Sequence, residues 1–494
     1  MKNKLLLFFI LAIAAFTRFW RIREYLTFLG DEGRDVLVVK RMLLDGKFTL
    51  LGPITSVGSI YMGPVYYYLT APFLYLWNFD PVGPAVMVVL FSLATIYIIY
   101  RLGITYFHPR VGLIAAFTYA VSRLTVIYGR SSWNPNVVPF FAVLLIFSVL
   151  RVIIDKRYYY LIFAGLSLGV LIQLHYVTLL FFPVLMVIYL CYKPRLPLKY
   201  NLLGLSSFLL AYSPFILFEL RHQFVNFQGA FRFITENNNR ITGQLFIKLW
   251  EIVNDVAIRI FWRPLVVQNA ELTKLLMFFS VILFFFRFNI IKKSEKSVIA
   301  FYVILIWLTA GVLSFAIYRG TVYDYYLGSL YPVPHLLFAI FFNLLWQMGK
   351  FYKVLGSLVL ALIISFNIIH SPLRIEPNNM LRNTKQIADF VLEMSGNLPY
   401  NFALIADRNS DHAYRYFLEL SGHKPVSIEN PEIDPDRKTV TAQLLVVCEE
   451  KVCQPEGHSL WEIAGFGRAK IVGEWKVSTA RVFKLLPYRE FNND

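Results

Sequence analysis

Gly30-Asp31-Glu32-Gly33-Arg34-Asp35 sets two adjacent carboxylates, a guanidinium and a third carboxylate shortly after the apolar run Leu5 to Phe16. Reading the two stretches together decides the fold. The apolar run is a membrane helix by composition, so the charged stretch emerges at a membrane surface, where ionised side chains persist when they face water, a partner or a substrate. A solvated acidic loop is the plainer alternative, and six residues alone leave both open. Lys2 and Lys4 ahead of the apolar run imitate a signal peptide. Thr17-Arg18-Phe19-Trp20-Arg21 stands where a small-residue cleavage site would be, so the segment reads as a retained helix.

The rest of the chain supports a polytopic membrane protein. Of its 494 residues 57% are hydrophobic and 16% charged, where a soluble protein carries about 25% charged residues. The formal charge of +17 falls largely in short loops between apolar segments, as cytoplasmic loops require, which argues against nucleic acid as the partner. About eleven spans of near-spanning length are expected: 4–20, 82–101, 111–128, 135–154, 158–174, 176–192, 201–219, 272–286, 298–318, 333–348 and 352–370. The stretch Ile60 to Trp77, interrupted by Gly63-Pro64 and Ala71-Pro72 and rich in Tyr, reads as an interfacial helix.

With the amino terminus cytoplasmic, the loops holding Arg101 and Arg110, Lys156 and Arg157, Lys193 to Lys199, Arg287 to Lys296, and Lys350 and Lys353 all lie inside. Arg18, Arg21, Arg23, Lys40 and Arg41 disagree, because they would lie outside. The expected fold is therefore mostly α. A transmembrane catalytic domain, 1–370, carries a first outer loop, 21–81, and a small extracytoplasmic α/β domain follows, 371–494. Helical patterning at Met380 to Met394 and Asp411 to Leu420 accompanies strand-like runs at Phe402 to Ala406, Leu444 to Cys448, Lys470 to Trp475 and Ala480 to Leu485. Cys448 and Cys453 complete no metal-ligand spacing and either pair or stay free.

Asp31 and Glu32 can serve as general base for an acceptor hydroxyl or amine, or can hold a divalent metal such as Mg or Mn. A probable amphipathic helix, Val36 through Leu44, follows them, then the turn Asp45-Gly46-Lys47 and the segment Gly63-Pro64-Val65-Tyr66-Tyr67-Tyr68-Leu69. This order resembles the large GT-C glycosyltransferases, in particular the family 39 protein O-mannosyltransferases and the lipid A aminoarabinose transferases. The loop from Arg101-Leu102-Gly103 to His108-Pro109-Arg110 and the turn Gly129-Arg130-Ser131-Ser132-Trp133-Asn134-Pro135-Asn136 add to the resemblance. It covers roughly the first 200 residues well and the later spans loosely.

The resemblance implies a polyprenyl-phosphate monosaccharide donor, transfer on the outer face with inversion, and a lipid, glycan or protein acceptor. Asp31 matches the family's acidic position, with Glu32 beside it. Two departures matter. Tyr61-Met62-Gly63 stands where relatives often place a Lys, and Asp80-Pro81-Val82-Gly83-Pro84 where many place an Arg. The donor phosphate's cations then come from Arg34, Arg130, His175 or Arg319, all placed at outer helix ends by the topology. Tyr66, Trp133, Asn134, Asn136 and Tyr323 are the candidates for sugar or acceptor contacts.

Each candidate has a plainer reading. In it Arg34 pairs with Asp31 or Asp35, Arg130 snorkels to headgroups, His175 is hydrogen-bonded structure, the 319–326 turn is an aromatic belt, and the asparagines are helix caps. Rival functions are a transporter or flippase of lipid-linked glycans and a non-catalytic envelope-assembly subunit. A transporter calls for broken helices with polar groups near the bilayer midplane, often in two related halves; here charge gathers at the outer loops. Without an endoplasmic-reticulum retrieval signal, a prokaryotic plasma membrane is the expected location.

Overall fold

The computed structural model describes residues 2–55, 60–235, 250–266, 271, 273–275, 277–282, 294–316, 318 and 321–488. The chain packs as two compact units. The first comprises Met1–Trp20, Phe48–Leu69 and Pro84–Glu376, and the second Arg21–Lys47, Thr70–Gly83 and Pro377–Asp494.

The first unit is helical. Among the described residues five helices are long and apolar enough to cross a membrane, or six if the pair Asp324–Leu330 and Pro332–Trp346, bent by 55°, counts as one. Eleven full-length spans are therefore not confirmed among the described residues. The first, Lys2–Phe19, carries Lys2, Lys4 and Arg18. The third expected span divides at Ser122 into Pro109–Val121 and Arg123–Tyr128, because Ser122 is non-helical (ψ 127°) and its hydroxyl donates to the Pro264 carbonyl at 2.7 Å. The segment 272–286 lies partly outside the described residues. Helices Tyr160–Leu174 and Leu198–Arg221 pack at backbone contact: a Cβ on Gly165 would sit 2.0 Å from the Gly204 carbonyl oxygen. Small residues permit this approach where apolar burial alone gives helices in lipid no reason to associate.

Arg18 is fully buried. It donates to Ser92 Oγ at 2.8 Å and to the carbonyls of Ala120 at 3.0 Å and Ala14 at 3.3 Å. It is thus an interhelical fastener rather than a free loop charge.

The second unit holds a four-stranded sheet. Strands β1 (Asn401–Ile405), β2 (Leu444–Cys448), β3 (Ala469–Val477) and β4 (Ala480–Pro487) run in the order β1-β2-β4-β3. β1 and β2 are parallel, and β4 is antiparallel to both its neighbours. Every residue of β1 and β2 is buried, so both read as continuous apolar runs, whereas β3 alternates as a strand with one solvated face does. Ala403, Ile405, Leu444, Val446, Phe483 and Leu485 form one core with Ile463 and Phe466. Cys448 and Cys453 are joined in a disulfide.

Two stretches from the first loop belong to this unit. Helix Gly30–Leu44 lies against helix His412–Leu420, and Phe28 packs its ring 5.6 Å from that of Phe417. The other four discordant basic residues are engaged here. Arg21 pairs with Glu24, Arg23 with Asp80, and Arg41 and Lys40 both with the buried carboxylate of Glu419. Burial alone would raise the Glu419 carboxyl, but the Arg41 hydrogen bond and charge hold it below its ordinary value.

Candidate active site

The acidic helix begins at Gly30, where Leu29 leaves it in an extended conformation. Asp31 is half exposed, and its Oδ1 accepts from Arg34 at 2.7 Å. The same guanidinium donates to Oδ1 of buried Asp35 at 3.0 and 2.8 Å. Acidic residues in a first turn meet the positive end of the helix dipole, so Asp31 is placed by the helix and steered by Arg34. Glu32 turns inward instead. Its Oε2 accepts from the Leu29 N–H at 3.1 Å, and burial pushes its carboxyl up to about 8 against the pull of that hydrogen bond. Both glycines of the run are contact points. A Cβ on Gly30 would lie 2.0 Å from Ser410 Oγ, and one on Gly33 2.3 Å from Ala413 Cα.

In the first unit, three loops predicted from sequence converge. Trp133 packs 4.4 Å from the Tyr325 ring, His175 lies 4.7 Å from Tyr326 and 5.9 Å from Tyr325, and Tyr323 stacks on Tyr325 at 5.7 Å. His175 Nδ1 accepts from the Val177 N–H at 3.2 Å, which turns Nε2 away from the helix end that Nδ1 caps. Asn134 Nδ2 donates to the Leu174 carbonyl at 2.6 Å, tying the two loops together, while Asn136 Nδ2 donates to Ser131 O at 2.7 Å. Tyr66 and Ser132 are hydrogen-bonded at 3.0 Å.

Arg130, buried, donates to the carbonyls of Trp20 at 3.1 Å and Thr17 at 3.5 Å, where a cation suits the negative end of helix Lys2–Phe19. Arg319 lies outside the described residues.

Residues 62–218 match the family model for dolichyl-phosphate-mannose-protein mannosyltransferases. The structure of ArnT from Cupriavidus metallidurans bound to undecaprenyl phosphate is similar throughout, with a TM-score of 0.61 at 13% identity over 97% of each chain. Its apo state gives 0.60 at 12% identity, again over 97% of each chain. The chain shares the fold of ArnT, and its residues 62–218 resemble the mannosyltransferase family. The Archaeoglobus fulgidus oligosaccharyltransferase in complex with Zn and sulfate is also similar, with a TM-score of 0.51 at 13% identity over 89% of this chain and 67% of that one. No curated protein sequence matches it.

The family match takes in Tyr66, Trp133, Asn134, Asn136 and His175 but stops short of the acidic helix and the Tyr323 turn. Two cations were missed from sequence. Arg259 donates to Val322 O at 2.7 Å and pairs with Asp255 at 2.6 Å and Asp324 at 3.4 Å; Arg263 pairs with Asp324 at 3.1 Å. Arg259 lies in Ile258–Phe261, which is bounded by two widened π turns, Val253–Ala257 and Trp262–Val266, and Arg263 lies in the second of these, a local geometry frequent at functional sites. Their i, i+4 spacing, which aligns them on one helix face, was the available signal.

A divalent metal on Asp31 and Glu32 does not suit the acidic helix. Glu32 is committed to Leu29, Asp31 to Arg34, and among the described residues no three His, Cys, Asp or Glu side chains gather as ligands.

Proposed function

We propose that this chain is a GT-C enzyme that moves one monosaccharide from a polyprenyl-phosphate donor to a hydroxyl or amine of a lipid, glycan or protein acceptor, on the outer face of the plasma membrane. The observation that carries the reading is Asp31: of the carboxylates in its run, Glu32 and Asp35 are buried and Asp31 alone is half exposed. A phosphate leaves well without a proton, so the acceptor is the partner that needs help. In the transfer, the acceptor's lone pair forms a bond to the anomeric carbon, and the carbon–oxygen bond to phosphate breaks with its electrons going to phosphate. The acceptor's proton passes to Asp31. A single displacement of this kind inverts the anomeric centre.

The reading assigns the donor phosphate to the first unit, to His175, Arg259 and Arg263, with Arg319 as a further candidate. Arginine suits phosphate because its planar fork matches two oxygens. The aromatic faces of Trp133 and Tyr323 are assigned to sugar or acceptor, and Tyr66, Asn134 and Asn136 to shaping the loop beneath them. Arg34 is assigned to steering Asp31, and Arg130 to holding the first helix.

The outer placement of the carboxy-terminal domain is supported by the Cys448–Cys453 disulfide, which persists in oxidising compartments, and by the basic loops on the opposite side. Purified protein given radiolabelled polyprenyl-phosphate sugars and candidate acceptors tests the reading, with Asp31→Asn as the inactive control. Absence of transfer from every donor would refute it. Impermeant thiol labelling of intact cells should reach Ser421→Cys and miss Ser294→Cys; the opposite pattern reverses the assigned face.

A further inference from the structure

Helix amino termini leave backbone N–H groups without partners inside the helix, and a Ser, Thr, Asp or Asn at the cap position ordinarily accepts from one of them. The acidic helix has Leu29 at that position and hence no capping oxygen of its own. Two substitutes take its place. One is local: Glu32 reaches back to the Leu29 N–H. The other comes from the carboxy-terminal domain, where Asn409 Oδ1 accepts from the Gly30 N–H at 2.8 Å.

The Asn409 amide has only one workable orientation. Its Nδ2 donates to both carboxylate oxygens of Glu449, each at 3.0 Å. A carboxylate only accepts, so the NH2 group must face Glu449 and the carbonyl must face Gly30. Glu449 is itself fixed. It directly follows β2, its N–H donates to the Ile405 carbonyl at 3.0 Å, and the Tyr414 hydroxyl donates to its Oε1 at 2.6 Å. An unbroken path of hydrogen bonds therefore runs from the sheet through Glu449 and Asn409 to Gly30, the residue before Asp31. The absence of a Cβ at Gly30 is what lets the 409–410 backbone come this close, since a Cβ would fall 2.8 Å from the Ser410 nitrogen.

We propose that Asn409 is a positioning residue for transfer: its side-chain carbonyl sets the first turn of the acidic helix, and with it the direction of the Asp31 carboxylate, while Glu449 holds the Asn409 amide in register. The proposal rests on the glycosyl-transfer reading for its catalytic consequence, but not for the contact itself. The carboxy-terminal domain is then part of the catalytic apparatus rather than a separate cover.

The test uses the full chain in lipid nanodiscs and three variants, Asn409→Ala, Asn409→Asp and Asn409→Asp/Glu449→Gln. Asn409→Ala removes the acceptor. Asn409→Asp keeps an acceptor for Gly30 but sets two carboxylates face to face. The double variant reverses the 409–449 hydrogen bond while leaving the Gly30 contact intact. Amide hydrogen exchange over 29–34 is read alongside kcat per folded molecule and the donor KM. A misaimed catalytic group costs on the order of 10–100-fold in rate. Expected are faster exchange and a kcat loss of that order in Asn409→Ala and Asn409→Asp, an unchanged donor KM, and recovery of both exchange protection and kcat in the double variant.

Unchanged exchange in Asn409→Ala overturns the contact. Faster exchange with unaltered kcat overturns the positioning role. A donor KM that rises in step with the kcat loss, or a double variant no better than Asn409→Asp, also overturns it. A wild-type chain that transfers no sugar defeats the proposed function alone, and exchange then decides whether Asn409 holds the acidic helix.

Discussion

The guanidinium of Arg34 lies 2.7 Å from Oδ1 of Asp31, one helical turn away, and is held from behind by buried Asp35. The exposed carboxylate is thus aimed by a cation that cannot itself swing free. Asp31→Asn should fold and bind donor but lose about 10²–10⁴ in transfer rate, the range of general-base catalysis. Arg34→Ala should cost less and leave donor KM unchanged. Transfer rates beside donor binding check both. A full-rate Asp31→Asn would move the base elsewhere.

Glu32 gives a signature in pH. Its folded-state value of about 8 lies above its ordinary value of 4.5, so the folded chain binds the extra proton between the two. Its contribution to stability is complete below the ordinary value and is lost as pH rises through 8. Glu32→Gln, which resembles the protonated form and still accepts from Leu29, should lose less stability than wild type over that interval and keep most of its activity. Thermal unfolding at pH 5, 7 and 9 reads the difference. Parallel curves for the two proteins would show that Glu32 is not held protonated.

Arg259 and Arg263 converge on Asp324. Hydrogen bonds to charged groups contribute about 1.5–3 kcal/mol, so Arg259→Ala and Arg263→Ala should each raise the donor KM by roughly 10–150-fold. Arg130→Ala, which strips cations from the Thr17 and Trp20 carbonyls, should instead lower the melting temperature with donor KM unaltered. Steady-state kinetics with denaturation curves separate the two classes.

Gly33→Ala sets two known effects against each other. Replacing a helical glycine by alanine gains about 1 kcal/mol in propensity. Here the new Cβ would meet the Ala413 backbone at 2.3 Å, and overpacking costs roughly 1–3 kcal/mol. Backbone cannot rotate aside as a side chain can, so the clash should win. Gly33→Ala should be destabilised and slow, whereas an added side chain at an open site such as Ser421 should not. A Gly33→Ala chain as stable as wild type would mean the two helices are not in contact there.

The carboxy-terminal sheet was legible almost strand for strand, since its signals are local: continuous apolar runs for β1 and β2, and alternation for β3. What the sequence hid was contact at a distance. Nothing near Gly30 says that its N–H will meet Asn409, and nothing near Lys40 or Arg41 names Glu419 as their partner. The third expected span divides for a related reason. Hydropathy averages across Ser122 and does not register a break that is stabilised by the remote Pro264 carbonyl.

The capping of Gly30 by a residue 379 positions later also has a consequence for biosynthesis. A ribosome adds about 5–20 residues per second, so roughly 20–75 s separate synthesis of the acidic helix from synthesis of the asparagine that finishes it. Throughout that interval the nascent chain carries Asp31 on an unfinished helix. A chain released early, before β2 and Glu449 exist, would lack the Asn409 cap altogether. The first turn of the acidic helix is thereby finished only after the carboxy-terminal sheet has been made.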